Sequence, residues 1–217
     1  MKMKEYKFVL DELAVKDFFT VVRQKVDIIE ILMKSINYMS DYDEAKEKTQ
    51  IGLMVLRIDK TKRLLYFTED KYFSISFPFS VMKVDDDLEF YTNQKINVDY
   101  LLTSQVLNII NCDEFNEQCS LDFVEPIYAC EETFNKDFWL FLRELLMSED
   151  GYIRYDYDEI NYNKYKEKGE ELKHPLNHYD IFYTNYSTFK IGLNKKIDEN
   201  YFQDFVDVNS NCKFLVE

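Results

Sequence analysis

The sequence predicts an α+β fold: an antiparallel sheet meander packed against an N-terminal helix and two or three further helices. Three observations carry this expectation. Near the N-terminus apolar residues return every three, four or seven positions, the mark of a helix with one buried face. From residue 51 the period drops to two, the mark of strands. After Gly151 come three more short strand-like pieces, and helices combined with such a meander make an α+β arrangement.

The first helix is expected over residues 11 to 39, where Phe18, Val22, Ile29, Leu32 and Ile36 form a stripe that Val21, Val26 and Ile28 widen. A width of that kind suits packing on a sheet. The polar run SDYDEAKEKTQ then acts as a connector. IGLMVLRI and RLLYFT flank Asp59-Lys60-Thr61-Lys62 and predict a hairpin. In YFSISFPFS, Phe73, Ile75, Phe77 and Phe79 alternate with Ser74, Ser76, Pro78 and Ser80, which predicts a strand with one buried face. Pro78 has no N–H to donate, so it predicts an edge or a bulge. Asp85-Asp86-Asp87 reads as a solvated turn, lacking the spacing and glycine of a calcium loop, and Leu88 to Thr92 as a strand after it.

A second helix is expected from Val98 to Ile110, capped by Asn97, with Leu102, Val106, Ile109 and Ile110 inward. Residues 119 to 129 read as a strand. A third helix follows Thr133 as its cap, with Phe134, Phe138, Phe141 and Leu145 as its stripe and Trp139 as packing beside it. Beyond Gly151, strands are expected at 152–157, 178–184 and 188–193, with YNKYKEKGEELK as an exposed loop between the first two. A short helix from Glu199 to Val206, capped by Asp198, and a closing strand KFLV end the series.

Composition bounds what such a fold can do. With 217 residues and few Gly (4) or Pro (3) to make flexible linkers, one domain is expected, with 150–217 as a candidate C-terminal subdomain. The net charge of −14 argues against a broad nucleic-acid-binding surface, because phosphate contacts need clustered Lys and Arg. A local basic groove or a metal-assisted site stays open. Cys112, Cys119, Cys130 and Cys212 fit no common zinc spacing. MKMKEYKF lacks the apolar core of a signal peptide, and no apolar run nears the ~20 residues that span a bilayer. A cytoplasmic protein with reduced thiols, in a prokaryotic or phage setting and with no membrane role, is therefore expected.

One stretch concentrates chemistry. Both histidines, His174 and His178, lie within HPLNHYD, and IRYDYD precedes them. In a strand, Arg154, Asp156 and Asp158 would share one face, with Ile153, Tyr155 and Tyr157 on the other. Two like charges on one face cost free energy unless a cation or Arg154 offsets them, which points to a site. A charged edge strand that blocks aggregation is the competing reading. His174-Pro175 suits a turn, after which His178, Asp180 and Phe182 share a face.

Brought side by side, these strands would set Arg154, Asp156, Asp158, His174 and His178 as catalytic candidates. Asp156, His178 and Asp180 would be ligands for a divalent ion such as Mn²⁺, Fe²⁺ or Zn²⁺. Arg154 or Lys190 would then stabilise charge developing in phosphodiester cleavage. The competing account has both histidines bracing a turn through backbone carbonyls. Glu171-Leu172-Lys173 has a nuclease-like E-x-K spacing, but it lies in a polar loop with no apolar strand around it.

The motifs IRYDYD, HPLNHYDI and TFKIGL, over residues 150 to 216, resemble a family of bacterial proteins of unknown function that pairs an R-x-D-x-D strand with a later H-P-x-x-H turn. The resemblance rests on Arg154, Asp156, Asp158, His174, Pro175 and His178, and implies no activity. Two functions are expected. One is a protein-binding role through the acidic, Tyr-rich surface, as a component or inhibitor in a defence or toxin-antitoxin system, with another protein as partner. The other is metal-dependent phosphodiester hydrolysis. The separation of Asp156 from His178 discriminates between them.

Overall fold

The computed structural model describes residues 3–43, 49–85, 87–112 and 137–214. Its main sheet has seven strands: β1 (Lys4–Leu10), β2 (Gly52–Ile58), β3 (Lys62–Phe67), β4 (Lys71–Ser76), β7 (Ile153–Tyr157), β8 (Asn177–Thr184) and β9 (Ser187–Leu193), neighbours in that order. Every neighbouring pair is antiparallel, so the α+β expectation holds. A second sheet pairs β5 (Ser80–Val84) with β6 (Asp87–Tyr91). The helices are α1 (Glu12–Phe18), α2 (Lys25–Ser40), α3 (Tyr100–Ile110), α4 (Asp137–Met147), α5 (Glu159–Lys166) and α6 (Glu199–Phe205).

The elements fall into two compact units. The first holds the seven-stranded sheet with α1, α5 and α6. The second holds α2, α3, α4 and the β5–β6 ribbon. In the second unit α2 lies against α3 and β6, with Thr103 donating to Asn37 at 2.6 Å. Phe138, Phe141, Leu142 and Leu145 are the buried face of α4, as its spacing predicts, and Phe79 packs on Phe141. Among the described residues no helix is long and apolar enough to cross a membrane.

Register explains the first unit. Residues opposite each other on paired strands project from the same face. One row therefore runs Val9, Leu53, Phe67, Tyr72, Tyr155, Tyr179 and Ile191 across all seven strands. From Leu53 to Ile191 it packs with Phe202 of α6 in a continuous apolar core. The adjacent row, on the opposite face, runs Phe8, Met54, Tyr66, Phe73, Arg154, Asp180 and Lys190. Its first four members are apolar, Tyr66 stacks on Phe73 at 4.2 Å, and Phe18 and Phe19 cover them. Its last three are charged.

Several expectations are corrected. β1 was not anticipated, although Tyr6, Phe8 and Leu10 alternate as a half-buried strand does. The helix over 11–39 is two helices. Residues 19–24 interrupt it at a β-branched run that favours extended backbone, and the Arg23 carbonyl accepts from the Tyr186 amide at 2.6 Å instead of closing a helical turn. β4 has both faces covered, since Ser74 is buried and accepts from Arg63 Nε at 2.8 Å. The strand stops two residues before Pro78. Asp99, not Asn97, caps α3, accepting from the Leu102 amide at 2.9 Å. The 162–173 insert is no simple loop: α5 and a 3₁₀ turn (Glu171–Lys173) fill it. Lys213 and Phe214 of KFLV are not in a strand. The strand expected at 119–129, Cys119, Cys130, the Thr133 cap with Phe134, Asp86, and the last residues of KFLV lie outside the described residues.

Candidate functional site

β7, β8 and β9 bring the polar residues together. Asp156 lies opposite His178, Arg154 opposite Asp180, Asp180 opposite Lys190, and His178 opposite Gly192. The alternation expected for both strands therefore holds: Arg154 and Asp156 share a face with His178 and Asp180. His178 Nε2 lies 3.8 Å from Asp156 Oδ2 and 3.7 Å from Asp180 Oδ2. One donor atom from each of Asp156, His178 and Asp180 falls within 4.8 Å of the other two, so the group could hold a metal ion. All three are deeply buried, at 3%, 0% and 7% exposure.

Burying two carboxylates requires compensation. Arg154 supplies it by bridging them, with Nε on Asp156 Oδ2 at 2.8 Å and Nη2 on Asp180 Oδ2 at 2.9 Å. Lys190 Nζ donates to Asp180 Oδ1 at 2.6 Å and approaches His178 Nε2 at 2.8 Å. His178 Nδ1 lies 2.7 Å from the Pro175 carbonyl. A carbonyl can only accept, so Nδ1 carries the proton and the Nε2 lone pair accepts from Lys190. That tautomer, held by a backbone carbonyl, is the one used by histidines that bind metals through Nε2.

Room for Pro175 comes from Gly192, where a Cβ would stand 3.0 Å from Pro175 Cγ. Asp156 Oδ1 is buried with no hydrogen-bond partner among the described residues, as are His174 Nδ1, Tyr179 Oη and Glu144 Oε2.

The two carboxylates differ electrostatically. Burial pushes Asp180 up, but the bond from Lys190 and the charges of Lys190 and Arg154 reverse it and hold the carboxyl well below the usual range. For Asp156 burial wins: Arg154 offsets it only in part, Asp180 adds to it, and the carboxyl is raised. Burial also pushes Tyr152, beside Arg154, up to about 12.

Asp158 and His174 are not among the three donor groups, although His174 touches His178. β7 ends at Tyr157, so Asp158 does not continue the Arg154/Asp156 face. It caps α5, accepting from the Asn161 amide at 3.0 Å and the Asn161 side chain at 2.7 Å. Burial alone would raise its carboxyl, but those bonds hold it low. His174 stacks on Tyr165, meets His178 edge-on at 4.7 Å between centroids, and sits 3.7 Å from Asp158 Oδ2. Burial, then Lys190 and His178, lower its pKa. Glu171 and Lys173 sit in the 3₁₀ turn, and Lys173 pairs with Glu170.

The charged end of the row opens on a cavity of about 410 Å³ lined by Arg23, Tyr152, Arg154, Asp180, Thr188 and Lys190, with Val21, Val22 and Tyr186 completing it. Sequence reasoning placed Lys190 beside the candidate site but left out Arg23, Tyr152 and Thr188. Arg23 reaches the cavity through the bond between its carbonyl and Tyr186, a contact with no local signal. No family model, curated protein or solved structure matches the chain.

Proposed function

We propose that this chain is a metal-dependent hydrolase acting on phosphodiesters, with Asp156, His178 and Asp180 as the seat of a divalent cation. The observation that carries the reading is the buried, unpartnered Asp156 Oδ1 beside a histidine already held in the ligand tautomer. A buried carboxylate oxygen with no donor is costly, and a cation would satisfy it. The 3.8 Å between Asp156 and His178 is metal-bridging distance, which favours hydrolysis over the purely binding role.

The chemistry adds water across a P–O ester bond. The water oxygen bonds to phosphorus, the ester oxygen leaves and takes a proton as an alcohol, and a phosphomonoester remains. A bound divalent cation supplies water of lowered pKa and a Lewis acid. The protein's own residues do the rest. Arg154 fixes both carboxylates through their Oδ2 atoms, Pro175 fixes the imidazole, and Lys190 stands on the cavity wall where a phosphoryl oxygen gains charge.

Lys190 also sets the test. Its ammonium engages two of the three donor groups, so a cation must displace it. Calorimetric titration with Mn²⁺ and Zn²⁺ is expected to show one site, weakened at least tenfold in His178→Ala and strengthened in Lys190→Met. Bis(4-nitrophenyl) phosphate hydrolysis should track occupancy. A protein that binds neither ion and cleaves nothing in their presence overturns the proposal.

A second reading, a binding component or inhibitor in a defence or toxin-antitoxin system, is supported by the −14 charge and by Tyr183 and Phe189, exposed on the β8–β9 hairpin. It loses that support if the protein is monomeric and recovers no partner from its native host.

A further inference from the structure

The cavity beside the triad is lined by more cations than carboxylates. The protein carries 41 acidic residues against 27 Lys and Arg, yet Arg23, Arg154 and Lys190 line this cavity with Asp180, while Asp156 pairs with Arg154 from outside the lining. A cleft lined mainly by one sign of charge focuses the field and draws ligands of the opposite sign, here anions. Two of the cations are anchored. Arg154 is held by Asp156 and Asp180, and Lys190 by Asp180 and His178, so both are set in place before a ligand arrives. Lys190 uses two of its three N–H donors in those contacts, leaving one for a ligand oxygen. Thr188 is also a lining residue.

Two tyrosines, Tyr152 and Tyr186, also line the cavity. Tyr186 stands at the tip of the β8–β9 hairpin with φ of 58°, a left-handed conformation that a bulky residue adopts at a cost. Its amide is tied to the Arg23 carbonyl at 2.6 Å, which locks the tip against the segment that contributes Arg23, and it is 75% exposed. Tyr152, buried at the base, lines the cavity beside Arg154. The volume of about 410 Å³ falls in the range of small-molecule sites and suits one nucleotide rather than a duplex. Cations that grip phosphate together with an exposed aromatic ring that can stack a base are the two halves of a single-strand nucleotide site.

We infer that the cavity binds a nucleoside monophosphate, with the phosphate at Arg23, Arg154 and Lys190 and the base against Tyr186. The nucleotide is free or is one unpaired unit of a single strand. This names the substrate class of the hydrolytic site and rests on that reading for turnover only, since the grip on the phosphate belongs to protein cations.

The experiment therefore runs in EDTA. Calorimetric titration of the full chain with adenosine 5′-monophosphate, inorganic phosphate, adenosine and a six-residue oligothymidylate is expected to show the nucleotide bound about tenfold or more tighter than either phosphate or adenosine alone. Arg23→Gln should weaken phosphate and nucleotide alike. Tyr186→Asn, a residue that tolerates the left-handed backbone, should reduce the advantage of nucleotide over phosphate to less than about twofold. Unchanged thermal unfolding of both variants guards against misfolding.

Tighter binding of the oligothymidylate than of the monophosphate assigns the site to a strand, and the reverse assigns it to a free nucleotide. Nucleotide bound no tighter than adenosine, or equal affinity in all three proteins, overturns the inference. Separate titration with Mn²⁺ in the absence of nucleotide shows whether the metal reading stands or falls independently.

Discussion

The same three strands, β7, β8 and β9, build two unlike surfaces. On one face Tyr155, Tyr179 and Ile191 join Tyr72 and Phe202, and their stabilisation scales with apolar area removed from water. On the other, Arg154, Asp156, His178, Asp180 and Lys190 are held by pairing alone. Neighbouring residues in the chain thus belong to opposite regimes. The apolar face loses contacts one at a time when a residue is shortened. The polar face is a network in which the buried carboxylates are tolerated because cations pair with them, so removing one member weakens several bonds at once.

The largest expected effects test that contrast directly. Phe202→Ala should cost about 3–5 kcal/mol through lost burial and a cavity, and Asp180→Ala should cost about 1–3 kcal/mol by removing one partner each from Arg154, which keeps Asp156, and Lys190, which keeps His178. Urea unfolding across pH separates them. Asp180 has its pKa depressed in the folded state. Its stabilisation is therefore fully present above the unfolded value of about 3.9 and fades as pH falls below it toward the depressed folded value. The deficit of Asp180→Ala should shrink in acid, whereas that of Phe202→Ala should not. Equal acid dependence would erase the distinction between the faces.

Asp156 sharpens it with a smaller effect of opposite sign. Its folded pKa is raised, so its charge opposes folding wherever the group is ionised in the native state. That penalty is absent below about pH 3.9, grows as pH rises toward the folded value, and is complete above it. Asp156→Asn keeps an oxygen for Arg154 Nε and removes the charge. It should stay within about 1 kcal/mol of the wild type near neutral pH, with its relative stability falling as pH approaches 4. A loss as large as that of Asp180→Ala would mean that Asp156 is as fully paired as its neighbour. If the proposed metal site is right, the same substitution should weaken Mn²⁺ binding, because it removes the charge of one of the three donor groups.

How much of this was readable depended on range. Which residues share a face follows from alternation, and the sequence shows Arg154 with Asp156 and His178 with Asp180 directly. The hairpin at Asp59–Lys62 and the Asp198 cap of α6 are equally local. What adjoins what was not readable. β4 pairs with β7 although the β5–β6 ribbon, α3 and α4 lie between them in the chain, and nothing in YFSISF or IRYDYD encodes that partnership. Asp158 was misplaced for a different reason. Asp158 as cap, Glu159 in the first turn, Lys164 and Lys166 in the last, and Gly169 at φ of 69° are start and stop signals of a helix. They were obscured because α5 buries no residue and so shows no apolar period.

The smallest expected effect lies at the joint between the two faces' logic. Gly192 sits opposite His178, and its missing side chain is what lets Pro175 lie close enough to accept from His178 Nδ1. In Gly192→Ala the new methyl would meet Pro175 Cγ at 3.0 Å and Cβ at 3.3 Å, so the proline must shift by a few tenths of an ångström. Fold stability should change by less than about 1 kcal/mol, since the position is exposed and the strain is small. The imidazole should respond more than the fold. A weakened Nδ1–H bond to the Pro175 carbonyl loosens the tautomer that points the Nε2 lone pair at the cluster, and outer-shell changes of that kind reduce metal affinity by about tenfold or more. Nitrogen chemical shifts of His178, read beside the Mn²⁺ affinity, decide it. If the tautomer and affinity are both unchanged, Pro175 merely fills space. If both move while the unfolding midpoint stays, the proline-glycine contact serves the site rather than the sheet.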